Sequence, residues 1–110
     1  MIRITGTYRW IKGAHFDHHY FNSSHARITV EALSELGLIR LETDRVLATS
    51  TPEVGDIIAA THAYFANVEV AQTALAKAGA LLMADVPNYT NLKPDIRLSE
   101  TTVHDPRNLS

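Results

Sequence analysis

Phe16-Asp17-His18-His19-Tyr20-Phe21-Asn22-Ser23-Ser24-His25 opens a long amphipathic helix and sets a histidine in what should be its apolar stripe. Phe21, His25, Ile28, Ala32 and Leu36 follow at steps of four, three, four and four residues, which is one face of a 3.6-residue turn. Asp17 is the expected N-cap, and Gly37 stands where a left-handed C-cap residue belongs. A titratable ring in such a stripe either completes a hydrogen-bond network or lines a cavity where chemistry happens.

Outward from this helix, the pattern changes to period two. Ile2, Ile4, Gly6, Tyr8 and Trp10 alternate with polar residues, giving a strand over about 2–11 and a turn over 12–15. After the helix, alternation over 38–46 gives a second strand, and 48–56 reads as a loop. Residues 57–65 are β-branched, aromatic and apolar on both faces, so they form a central strand. Asn67 caps a second helix with the stripe Ala71, Ala74, Leu75 and Ala78, and Gly79 is its expected C-cap. An irregular segment over 80–91 precedes a last strand over 96–103. The order βαββαβ defines an α+β, ferredoxin-like fold, with an antiparallel four-stranded sheet carrying two helices on one face. Residues 1–103 form this domain, and 104–110 a polar tail. The uncovered sheet face is expected to carry Tyr8, Trp10, His62 and Tyr64. Exposing such a face is unfavourable at about 25 cal/mol per Å², so a homodimer packed through it is expected.

Composition narrows the function. The 110 residues suit one domain with a modest core. Ten Lys and Arg against twelve Asp and Glu leave a charge of −2 without a basic run, which argues against nucleic-acid binding. No apolar stretch approaches the roughly 18 residues of a membrane span. The N-terminus runs directly into strand-like sequence, and cysteine is absent. Disulfides, thiolate catalysis and Cys-ligated metals are thereby excluded, and a cytoplasmic protein is expected.

Three segments in order carry a family resemblance: Phe16-Asp17-His18-His19-Tyr20-Phe21 with His25, then His62-Ala63-Tyr64-Phe65, then Met83-Ala84-Asp85-Val86-Pro87-Asn88-Tyr89-Thr90. The chain resembles the EthD family, named for ethyl tert-butyl ether degradation, over about residues 2–103. The resemblance implies a dimeric α+β barrel, whose fold relatives include muconolactone isomerases, polyketide cyclases, cofactor-free monooxygenases and haem-degrading enzymes. The family often carries a proline two residues after the helix histidine. This chain has Arg27 there, so its helix is expected to run more regularly.

His25 is the first catalytic candidate. An imidazole titrates near about 6.5 and can act as general base or acid; a buried, purely structural histidine is the competing reading. His62 is expected to converge on the same cavity as a second acid/base or substrate-bonding group. Asp85, Asn88 and Tyr89 offer a carboxylate, an amide and a phenol to orient a substrate or hold a histidine tautomer, although Asp and Asn also serve turns. Tyr8, Trp10 and Tyr20 are candidates to line an apolar pocket. His15, His18 and His19 read as solvated residues around a helix start rather than metal ligands. No metal or cofactor is expected; haem, which some fold relatives handle, is selected by nothing in these residues. No phosphate loop or nucleophile elbow is present. The chemistry so implied is isomerisation, dehydration, cyclisation or cofactor-free oxygenation of a small apolar oxygenated molecule. The alternatives are a non-catalytic ligand-binding accessory of an oxygenase system, or a dimer in which His25 only completes the core.

Overall fold

The computed structural model describes residues 1–47 and 51–108. Residues 48–50 of the expected loop and 109–110 of the expected tail lie outside this description. Four strands, β1 (Ile2–Arg9), β2 (Arg40–Arg45), β3 (Ile57–Phe65) and β4 (Asp95–Glu100), form an antiparallel sheet in the order β2-β3-β1-β4. A helical run over residues 18–36, here α1, links β1 to β2, and α2 (Val68–Asp85) links β3 to β4. This is the ferredoxin-like α+β arrangement read from the sequence. β3 has the expected bounds, and the other strands are shorter than expected.

α1 starts and stops as its sequence dictates. The Asp17 carboxylate accepts from the Tyr20 N–H at 3.0 Å, and Gly37 adopts φ 95°. Its interior does not run regularly, contrary to expectation. Phe21–His25 is a π-turn between α-helical segments, and the run tightens to a 3₁₀ turn at Ser34–Leu36. The stripe is therefore displaced. Phe21, His25, Thr29 and Leu33 are the buried positions, while Ile28, Ala32 and Leu36 are half-buried at its border. Steps of four over-rotate an α-helix by about 40°, and the wider π-turn takes up part of that drift.

α2 overturns a second expectation. The helix continues through Gly79 to Asp85, followed by a 3₁₀ turn at Val86–Asn88, so residues 80–88 are not irregular. Gly79 is a mid-helix residue, not a cap. Pro87 lacks the N–H that an α-helical ladder needs, and the chain tightens there.

Register corrects a third expectation. Tyr8 pairs with Ala59 and Ile4 with Ala63, so Tyr8 faces the helices. His62 pairs with Thr5 and Tyr64 with Arg3 on the opposite face. The open face is polar rather than apolar and aromatic. The Tyr64 hydroxyl donates to Glu42 at 2.8 Å, the Arg40 guanidinium lies 4.5 Å from the Tyr64 ring centre, and His62 bonds Asp44. The apolar ground for sheet-on-sheet pairing is removed.

The covered face holds two buried clusters. One is aliphatic, around Ile2, Leu33, Phe65 and the α2 alanines. The other is aromatic, around Tyr8, Phe21 and Tyr89. Between sheet and helices lies a cavity of about 110 Å³. No helix among the described residues is long and apolar enough to cross a membrane.

Candidate active site

His25 closes the π-turn, a device that recurs at functional sites because it re-aims side chains without breaking the helix. The residue is buried, its ring stacked on Phe21 at a centroid distance of 5.9 Å. Asp85, the last residue of α2, meets it with Oδ2 at 2.7 Å from Nδ1. A carboxylate at a helix C-terminus faces the negative end of the dipole, so it needs other donors. Asp85 has three: His25, Tyr20 Oη at 2.8 Å and Asn88 Nδ2 at 2.9 Å. Burial opposes its ionisation, but the hydrogen bonds from Asn88, His25 and Tyr20 prevail and hold the carboxyl below its ordinary 3.8. Donation to Asp85 in turn raises the Tyr20 phenol above its ordinary value.

Tyr89 reaches the other ring nitrogen, its hydroxyl 3.3 Å from Nε2. It is held there by backbone. Asp17 N–H donates to the Tyr89 carbonyl at 2.7 Å, Phe16 bridges Thr90, and Thr90 Oγ1 donates to the His15 carbonyl at 2.7 Å. The Tyr89 hydroxyl makes a short hydrogen bond to that of Tyr8. Burial lifts both phenols: Tyr89 far above its ordinary value, reinforced by Tyr8, and Tyr8 upward despite its bond to Tyr89.

The proton positions follow from the charge at one end. An ionised carboxylate only accepts, so His25 Nδ1 carries a hydrogen. In a neutral imidazole Nε2 then accepts from Tyr89, and the Tyr89 oxygen accepts from Tyr8. The result is a directed chain, Tyr8 to Tyr89 to His25 to Asp85.

Tyr8 and His25 line the cavity, together with Gly6, Thr29, Thr61 and aliphatic side chains of both helices and β4. Among the described residues, no Lys, Arg, Asp or Glu lines it. Half-exposed Leu75, Met83 and Ile96 mark its mouth, between α2 and β4. Two wider grooves of about 600 and 690 Å³ border His18 and Arg45, but they are open and hold none of this network.

The structure thus gathers Tyr8, Tyr20, His25, Asp85, Asn88 and Tyr89. His62 does not join them. It lies across the sheet, bonded to Asp44 Oδ2 at 2.7 Å and Thr5 Oγ1 at 3.2 Å, because strand alternation sends it to the face opposite Thr61 and Ala63. Trp10 lines the wider outer groove instead. Sequence reasoning missed Thr29, whose hydroxyl donates to the His25 carbonyl at 2.8 Å, and the glycines. A Cβ at Gly6 would lie 3.0 Å from Thr61 Oγ1 and 3.3 Å from Ile96 Cδ1, so the missing side chain keeps the cavity open. A glycine in mid-helix, costing about 1 kcal/mol relative to alanine, was the available signal at Gly79. Among the described residues no group of three or more His, Asp or Glu side chains is placed to hold a metal ion.

Fold and site define a ferredoxin-like α+β protein with a buried His–Asp pair at the end of an apolar cavity. Its fold is that of EthD-like proteins. An EthD-like protein from Ralstonia eutropha JMP134 superposes with a TM-score of 0.80 at 21% identity, covering 97% of this chain and 96% of that one. An ethyl tert-butyl ether degradation (EthD) family protein from Bacillus halodurans C-125 gives a TM-score of 0.62 at 15% identity, covering 93% of this chain and 99% of the other. No protein-family profile and no curated protein matches the chain.

Proposed function

We propose that this chain is an EthD-family enzyme that moves a proton on a small, apolar, oxygenated molecule held between sheet and helices. One observation carries the reading: an unbroken hydrogen-bonded chain, Asp85–His25–Tyr89–Tyr8, that ends at the cavity wall. His25 is the proton store, and Asp85 balances its charge and fixes its tautomer. Asn88 and Tyr20 orient Asp85, and Tyr89 links the imidazole to Tyr8. Isomerisation, dehydration, cyclisation and cofactor-free oxygenation all begin or end with such a transfer. His62 and Trp10 have no part in it. The test is turnover of a panel of small lactones, phenols and ketones. His25→Ala and Asp85→Asn should each lower it by roughly 10²–10⁴-fold, the usual share of general acid–base catalysis. Full turnover in a folded His25→Ala protein sinks the mechanism.

A second reading, a non-catalytic ligand-binding accessory, is favoured by the saturation of both His25 nitrogens by protein groups. Binding without turnover, with only affinity lost in the variants, would select it. On the resemblance alone, we further propose pairing of two copies through the open sheet face. Sedimentation of wild type and a Tyr64→Ala variant tests this: equal, monomeric behaviour at high concentration argues against it.

A further inference from the structure

We propose that the substrate-facing group is the Tyr8 phenol rather than His25, and that the cavity takes an uncharged hydroxylic compound, a phenol or enol, whose O–H proton is relayed through Tyr8 and Tyr89 to His25. This rests on the acid/base reading above and adds the reacting group and the substrate class.

Three observations lead there. Both His25 nitrogens are engaged, by Asp85 and Tyr89, so only its carbon edge is left for the cavity. Tyr8 lines the cavity and bonds Tyr89. The polarity of the chain is set from the Asp85 end: Tyr8 spends its hydrogen on Tyr89, which leaves a lone pair on the Tyr8 oxygen for a ligand. A ligand that donates a hydrogen bond fits this resting state, and a pure acceptor does not.

The step balances. The ligand O–H passes its proton to the Tyr8 oxygen as the Tyr8 proton moves to Tyr89 and the Tyr89 proton to His25 Nε2. Three O–H or N–H bonds form and three O–H bonds break. The products are a ligand oxyanion and an imidazolium, the latter paired with the Asp85 carboxylate. Reversal returns the proton to the ligand after its carbon skeleton has reacted.

Charge and size set the class further. With no Lys or Arg in the lining, a ligand that enters as an anion adds net charge to an apolar site, whereas relay from a neutral ligand creates the imidazolium together with the oxyanion and leaves the net charge unchanged. The enclosed space of about 110 Å³ is smaller than the engineered cavities of about 150 Å³ that take benzene, so a single ring enters only with part of the molecule directed out past Leu75 and Ile96.

The experiment is ¹⁹F NMR with 4-fluorophenol, 4-fluoroanisole and 4-fluorobenzoate, since the fluorine shift reports ionisation of the phenol. Wild type should bind 4-fluorophenol about tenfold more tightly than 4-fluoroanisole, the worth of one hydrogen bond. Its bound shift should move toward phenolate. Tyr8→Phe should lose that preference, whereas Tyr89→Phe should keep the affinity and lose the phenolate shift. Gly79→Leu, built where an added Cβ meets only Leu75 at 3.7 Å, should block all binding. Benzoate binding as tightly as the phenol, an unchanged phenol preference in Tyr8→Phe, or binding that survives Gly79→Leu would each overturn the inference. If His25→Ala abolishes turnover of the panel while none of these probes binds wild type, the acid/base reading stands and this substrate class falls.

Discussion

The described residues include two His–Asp pairs with the same nitrogen–oxygen distance of 2.7 Å, one on each face of the sheet. In His25–Asp85 the side chains are 6% and 10% exposed; in His62–Asp44 they are 16% and 55% exposed. Distance alone does not separate them. Surroundings do: Asp85 accepts from three donors at the buried end of α2, while Asp44 faces solvent from edge strand β2. Screened pairs contribute about 0–1 kcal/mol, and buried pairs become costly when one partner is lost. The open-face pair orders a surface, and the covered pair ends the hydrogen-bonded chain that runs from Tyr8.

Breaking the carboxylates should give the largest contrast. Asp85→Ala, which strands the hydrogen-bonding groups of Tyr20, His25 and Asn88, should cost about 3–5 kcal/mol in urea unfolding, against about 1 kcal/mol or less for Asp44→Ala. Equal losses would mean that burial does not distinguish the pairs. Replacing the imidazoles should give a smaller one. His25→Leu should destabilise by about 2 kcal/mol, because it leaves a buried carboxylate and the Tyr89 hydroxyl short of partners, while His62→Leu stays within about 1 kcal/mol. A neutral His25→Leu would instead favour a histidine that merely fills the core.

Acid sharpens the comparison further. Asp85 titrates below 3.8 in the folded protein, so its contribution to stability is whole above 3.8 and is lost as pH falls through the lowered folded value. Unfolding measured between about pH 4 and pH 2 should show a steeper loss in wild type than in Asp85→Asn. Parallel curves would contradict the depressed carboxyl. The smallest effect is expected at Thr5→Val, which removes the 3.2 Å contact to His62 and should change stability by no more than about 0.5 kcal/mol.

Much of the fold was legible because local rules produced it. Asp17 and Gly37 bound α1, Asn67 starts α2 with a 2.9 Å bond to the Val70 N–H, and the apolar run 57–65 is a central strand. The end of α2 was misread because Gly79, a local breaker, is overridden by packing of Ala71, Ala74 and Ala78 on the sheet. The face of β1 was misread at Tyr8, and His62, which lies on the open face with Tyr64 as the strand pattern suggested, does not also reach the cavity. When both faces of a strand look apolar, alternation tells which residues share a face but not which face is covered.

The chain by itself determined the βαββαβ order and marked His25 as anomalous in its stripe, because periodicity and capping act between residues a few positions apart. It also held the fragments of the site, in the segments around residues 16–25 and 83–90. Tertiary structure alone decided that Asp85 meets His25 across 60 positions and that Tyr8 meets Tyr89 across 81. It also decided that His62, with an identical side chain, is sent to the other face. Those outcomes depend on register and on the π-turn at Phe21–His25, which are settled by packing two helices on one twisted sheet and not by any local preference.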